Sequence, residues 1–246
     1  MRETIMASEL TRRMLLGRAG YGMLSMAAGF AIPSVAHAVH GAVDRKTDLM
    51  PEQALALLKE GNAKFVTDSP VHGAQDRVQR MAIARGQTPI AVLVGCSDSR
   101  VPPELLFDRG LGELFIVRNA GNTVDTAALG SIQYAVAELG IPLIVVLGHE
   151  RCGAVQAAVA VVKDDATFPG SIGQMIEPII PAVLHAQHQE GDLLDNAVRE
   201  NVRSIVTRLR TSAEPILLEP LQARRLRIVG ACYDLDDGTI DWFLEN

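Results

Sequence analysis

Two short segments of the chain concentrate residue types that bind metals and move protons. The first is Gly95-Cys96-Ser97-Asp98-Ser99-Arg100, and the second is Gly148-His149-Glu150-Arg151-Cys152-Gly153. Two thiolates, an imidazole and a carboxylate are a ligand set suited to tetrahedral zinc. His149 and Cys152 stand three apart, a spacing that lets the start of one helix aim both at one point. A lone buried Cys or His is usually ordinary core. Two such groups in one chain, each beside glycines that let backbone crowd an ion, point instead to a metal site. A purely structural zinc would use four permanent ligands with no charged group beside them. Asp98 and Arg100, two apart on one loop, fit a different arrangement. The arginine can compete for the carboxylate and leave a fourth position open to water, which is how catalytic zinc is held.

The elements that must carry these segments are legible in the apolar pattern. Continuous apolar runs at residues 89–95, 114–117, 143–147 and 227–233 read as strands buried on both faces. The first and third end in the two chemical segments. Amphipathic or apolar helical patterns cover residues 52–65, 126–139, 154–163, 172–189 and 195–211, the last two forming a helical hairpin. Residues 71–85 are polar and read as a surface arm running into a short helix. Asp236-Asp237-Gly238-Thr239 is a turn leading to a short edge strand over residues 240–244. Strands alternating with helices predict an α/β fold: a mostly parallel central sheet flanked by helices, with an N-terminal helical arm. Sheets of this kind bind ligands outside the carboxyl ends of their strands, where both chemical segments fall.

Composition narrows the function classes. Of 246 residues, 48% are hydrophobic, enough for a large core, so a disordered chain is excluded. A net charge of −6 argues against nucleic acid as a partner. Three cysteines without a CxxC pair cannot staple a fold and make a thiol-redox role weak. Residues 1–38 read as a removable address: Arg12-Arg13, a mild apolar run over residues 19–32, Pro33, then Ala36-His37-Ala38. That order looks like a twin-arginine export signal, and the run is too mild for a membrane span, which needs about 20 apolar residues. The expectation is an exported, periplasmic protein with one domain over residues 39–246 and no stable membrane association once the signal is removed.

Cys96-Ser-Asp-Ser-Arg-Val101 together with His149-x-x-Cys152-Gly153 resembles the β-class carbonic anhydrases. The likeness extends to Leu58-Lys-Glu-Gly-Asn62, to Arg118-Asn-Ala-Gly-Asn122 and to residues 230–235, nearly the whole chain after the signal. The resemblance implies zinc held by Cys96, His149 and Cys152. Asp98 would be either a fourth ligand in a closed, inactive form or released to pair with Arg100. Zinc would lower the pKa of bound water to about 7, giving the nucleophile that converts carbon dioxide to bicarbonate and a proton. Gln87 matches a substrate-donor glutamine and Phe115 and Tyr134 match an apolar wall, part of which the family draws from a neighbouring subunit. The Gly153 N–H is a further donor. Self-association as a homodimer or homotetramer is implied too. Leu93 stands where one subgroup has the tryptophan of an inhibitory bicarbonate site, so Arg118 has no such site to complete. Two rivals remain within the fold: a relative hydrolysing carbon disulfide or carbonyl sulfide, and a catalytically silent zinc-binding protein. No loop insertion marks the first, and retention of Asp98 and Arg100 opposes the second.

Overall fold

Five strands form one sheet in the order β2-β1-β3-β4-β5. They are β1 (Ala91–Gly95), β2 (Leu114–Arg118), β3 (Leu143–His149), β4 (Arg227–Tyr233) and β5 (Ile240–Leu244), in a computed structural model that describes residues 46–70 and 76–245. β1 through β4 are parallel, and β5 closes one edge antiparallel to β4. The mostly parallel α/β architecture expected from the sequence is therefore the one observed. The expected signal over residues 1–38 lies outside the described residues.

Side chains of β1 alternate between two cores, as a pleated strand requires. Val92 and Val94 face one side, where α4 (Thr126–Ala137), α8 (Leu193–Arg210) and α9 (Pro215–Gln222) pack. Ala91 and Leu93 face the other, covered by α1 (Pro51–Val66) through Ala54, Leu55 and Leu58, and by the short α3 (Pro103–Leu106). Pro51 starts α1 where its missing N–H costs nothing. Each fully buried leucine there contributes about 1.5–3 kcal/mol. The remaining helices are α2 (Arg77–Ile83), α5 (Gly153–Asp164), α6 (Ser171–Ile176) and α7 (Ile180–Ala186). A third core, over the carboxyl ends of the strands, joins α5, α7 and the start of α8 to Cys96, Cys152 and Cys232.

Order in the sheet fixes where a ligand can bind. The chain leaves β1 toward β2 on one side and later continues from β3 toward β4 on the other, so the direction reverses between β1 and β3. Loops diverge there and leave a crevice. Gly95 is in register with Leu147, so the residues that follow, Cys96 and Gly148, end up side by side. Helix α8 sits close on this part of the sheet. A Cβ at Gly148 would lie 2.7 Å from a Val202 methyl, and one at Gly230 2.9 Å from another, so glycine at both is what admits the helix.

Several sequence expectations need correction. The helix expected over residues 172–189 is broken into α6, a 3-10 turn (Glu177–Ile179) and α7, because Pro178 and Pro181 remove backbone donors. Helix α9 was not among the expected elements; Pro215 occupies its first turn, a tolerated position, and Pro220 lies inside it. Strand β2 is not buried on both faces: Leu114, Phe115 and Ile116 are half-buried because it is the sheet edge. Asp108 is buried beyond the end of α3, while Glu104 is exposed.

Candidate metal centre

Cys96 follows the last residue of β1, His149 is the last residue of β3, and Cys152 caps the start of α5. His149 and Cys152 thus do not share a helix, as their spacing suggested. A turn joins them, with Arg151 in the left-handed region (φ 50°). Arg151 is fixed from the far side by a two-pronged pair with Asp236, at 2.9 and 2.8 Å, in the turn between β4 and β5. The three side chains are 5%, 0% and 1% exposed, and their ligand atoms lie within 4.8 Å of one another.

The donor set fits a zinc ion on three observations. The two sulfurs are 3.9 Å apart; two tetrahedral Zn–S bonds of about 2.3 Å separate sulfurs by about 3.8 Å. His149 Nδ1 is 2.8 Å from the Glu150 carbonyl, a contact that requires the proton on Nδ1 and leaves the lone pair on Nε2. That Nε2 is buried with no hydrogen-bond partner. An unsatisfied buried polar atom costs about 1–3 kcal/mol, and a metal bond removes the cost.

Electrostatics favour a cation at the same point. The two sulfurs are within hydrogen-bond reach of each other. The hydrogen bond with Cys152, helped by the Gly121 N–H at 3.2 Å, lowers the Cys96 thiol. The same bond, together with burial, pushes Cys152 up. A divalent ion held here would be balanced by two thiolates.

Asp98 is turned toward Arg100. Its Oδ1 accepts from the Arg100 Nε at 3.0 Å and from the Arg100 backbone N–H at 2.9 Å, and its Oδ2 accepts from Nη2 at 2.8 Å. This fork holds the Asp98 carboxyl far below the usual carboxylate range. Oδ2 remains 3.9 Å from His149 Nε2, so the carboxylate is beside the cluster and not part of it.

Arg118 has a role that the sequence did not suggest. Its Nε donates to the Cys96 carbonyl at 2.7 Å and its Nη2 to the Asp98 carbonyl at 2.5 Å. The guanidinium therefore ties down the loop that carries both residues. It sits at the carboxyl end of β2, opposite Gly95, and only that register could have revealed it.

The expected substrate residues do not gather here. Phe115 pairs with Val92, four residues before Cys96 and so about 13 Å back along the strand. Phe115 and Tyr134 lie together, ring centroids 6.4 Å apart, with Tyr134 48% exposed. Gln87 lies in the loop before β1, at the opposite end of the sheet from the cluster. Gly153 alone of that group is at the site, as the exposed first residue of α5. His185 and His188 are exposed at the end of α7 and belong to a solvated face, and Cys232 is buried in β4.

A mostly parallel sheet with two thiols and an imidazole at its switch point, and an arginine-held carboxylate beside them, defines an α/β protein with a candidate metal centre. The family model described as carbonic anhydrase matches residues 91–240. "Carbonic anhydrase 2" of Mycobacterium tuberculosis is 44% identical over 188 residues, covering 76% of this chain and 90% of that protein. Among solved structures, a Coccomyxa β-carbonic anhydrase in complex with acetazolamide superposes with a TM-score of 0.59 at 28% identity, over 77% of this chain and 86% of that one. A structure from Sordaria macrospora, one of two described as tetrameric β-carbonic anhydrases, has a TM-score of 0.60 at 27% identity, over 66% and 84%. The chain belongs to the carbonic anhydrase family and is a carbonic anhydrase of the β class.

Proposed function

We propose that the protein interconverts carbon dioxide with bicarbonate and a proton at a zinc ion held by Cys96, His149 and Cys152, with Asp98 and Arg100 as the catalytic pair. The observation that carries this reading is the buried, unpartnered Nε2 of His149 facing two thiols, with a carboxylate beside it held off by arginine. Zinc in such a site supplies a Lewis acid that makes water a nucleophile near neutral pH.

The chain's own residues do the rest. Glu150, through its carbonyl, holds the His149 tautomer. Arg100 keeps Asp98 ionised and turned aside, so that Oδ2 can accept a hydrogen bond from the attacking water and orient a lone pair at carbon dioxide. Arg118 fixes the backbone on which Asp98 stands. Gly153, the exposed first residue of α5, is read as the N–H donor to the bicarbonate formed. The apolar packing of α5 and α7 keeps bulk water from the inner side of the site.

Gln87, Phe115 and Tyr134 are read as the substrate wall of a neighbouring protomer, in a homodimer or a homotetramer. The support is their separation from the cluster within one chain, the place of β2 as an edge strand among the described residues and the exposure of Tyr134. Export through the twin-arginine signal is part of the same reading: a folded, metal-loaded chain keeps its thiols from oxidation in the periplasm. Replacing Arg12 and Arg13 with lysine should leave active protein in the cytoplasm; undiminished periplasmic enzyme would contradict export by this route.

A stopped-flow assay of carbon dioxide hydration, with zinc content measured on the same sample, tests the central claim. Activity proportional to about one zinc per chain is the expected result. Full activity after complete zinc removal, or no activity in the zinc-loaded protein, would overturn it.

A further inference from the structure

Cys96 receives an N–H bond from Gly121, in the short turn that follows β2. Gly121 has φ of 68°, inside the 3-10 turn (Ala120–Asn122) that follows β2. A Cβ there would lie 2.6 Å from the Ile179 side chain and 3.1 Å from Ala154, so the residue must be glycine to fit under α5 and the 3-10 turn before α7. Glycine has the broadest backbone freedom of any residue, and nothing in its own chemistry keeps its N–H on the Cys96 sulfur.

The turn is closed by the Asn122 N–H on the Asn119 carbonyl at 2.9 Å, and a further restraint on Gly121 itself comes from outside the turn. Asn201 on α8 is 3% exposed, and its Nδ2 donates to the Gly121 carbonyl at 2.9 Å. The amide on one side of the Gly121 Cα is thereby anchored to a helix, and the amide on the other side points at the metal-ligand sulfur. Asn201 can reach only because α8 lies so close to the sheet over Gly148 and Gly230, through its neighbour Val202.

We propose that Asn201 is a positioning residue for the metal centre: by holding the Gly121 carbonyl it keeps the Gly121 N–H on Cys96 Sγ, and so sets how strongly that sulfur binds the ion. This rests on the reading of Cys96 as a zinc ligand. An N–H bond drains charge from a thiolate and fixes its orientation, and outer-sphere partners of this kind change metal affinity about 10–100-fold. Asn201 acts through one intervening peptide, so the lower end of that range is expected.

The test uses metal-loaded full-length protein and reads the metal–sulfur bond. Asn201→Leu removes the donor at nearly constant size, and Asn201→Ser is the gentler variant should the first fold poorly. Val206→Ala, on the same helix and equally buried, is the control for lost packing. In the cobalt(II)-substituted protein, both Asn201 variants should shift the thiolate-to-cobalt charge-transfer band. In the zinc protein they should release zinc to a chelator about 10-fold faster, while Val206→Ala lowers the melting temperature without either effect. Wild-type protein loaded with cadmium-113 should show a scalar coupling from the metal to the Gly121 amide proton, lost or weakened in Asn201→Ser. An unchanged band and unchanged zinc release in both Asn201 variants would overturn the positioning role while leaving the zinc site standing. Absence of the cadmium coupling in the wild type would overturn the Gly121–Cys96 bond itself. Wild-type protein that takes up none of the three metals would overturn the zinc site and this inference together.

Discussion

The crevice between β1 and β3 and the outer edge at β2 carry the two halves of the expected active site, and they differ in completeness. At the crevice every chemical group is supplied by one chain, and each is held by a second group. His149 is set by the Glu150 carbonyl, Asp98 by Arg100, the loop carbonyls by Arg118, and Cys96 by Gly121. At the edge, Phe115 and Tyr134 lie against each other, Phe115 also packs on the near core, and Phe115 is set back along the strand from the metal cluster. On the proposed reading the metal cluster is complete within one folded chain, and the substrate wall is supplied to a neighbouring protomer. Strand register imposes this, since a side chain about 13 Å down a strand cannot serve the strand's own carboxyl end.

The contrast can be broken most forcefully at the crevice. Cys96→Ala or His149→Ala should abolish metal binding, reduce activity to background and lower the melting temperature, measured by metal analysis, stopped-flow hydration and thermal unfolding. Either variant retaining stoichiometric zinc would show that the cluster is not the site.

Asp98→Ala and Arg100→Ala should lose activity by about 100-fold or more, the usual scale for a positioned proton acceptor, with zinc content unchanged. An Asp98 variant purified without metal would instead make Asp98 a permanent ligand.

Mixing sharpens the edge. A chain carrying Asp98→Ala and a chain carrying Tyr134→Ala are each impaired, but a hybrid dimer owns one site with both groups intact. Equal mixing with subunit exchange should restore about a quarter of wild-type activity, because half the dimers are hybrids with one good site each. No recovery despite exchange would place Tyr134 in the site of its own chain.

The smallest effect separates Cys232 from the ligand cysteines. Burial pushes its thiol up to about 12. At pH 8 only about one molecule in ten thousand then carries the reactive thiolate. Alkylation of the metal-loaded protein at that pH should leave Cys232 unlabelled for hours and become measurable as pH is raised. Rapid labelling at pH 8 would mean the third core is far more open than its packing indicates.

Much of the crevice was legible in the sequence because residue type and strand pattern act locally there. Continuous apolar runs marked β1, β3 and β4, and the Cys96-to-Arg100 and His149-to-Cys152 segments announced their own chemistry. What escaped was decided by distant contact. The hold of Arg118 on two carbonyls depends on the β1–β2 register, and that of Asn201 depends on how closely α8 approaches two glycines. The split of the helix around Pro178 and Pro181 was written in the sequence and was outweighed by the apolar residues around those prolines. The half-exposure of β2 is a property of sheet order, which a strand's own residues do not encode.

The pairing of Gly95 with Leu147 carries a consequence in time. Cys96 and Cys152 are 56 residues apart along the chain, with β2 and α4 strung between them. Bringing them together in an unfolded chain costs about 3.6 kcal/mol of closure entropy before any constant is added. A chain whose central strands have not yet zipped offers the ion only isolated donors. Capture is therefore expected to trail sheet formation and to mark its completion. Refolding followed at once by far-ultraviolet circular dichroism and a zinc indicator should show uptake lagging the sheet signal. Uptake that runs ahead of it would mean the ion gathers the strands and is not their late guest.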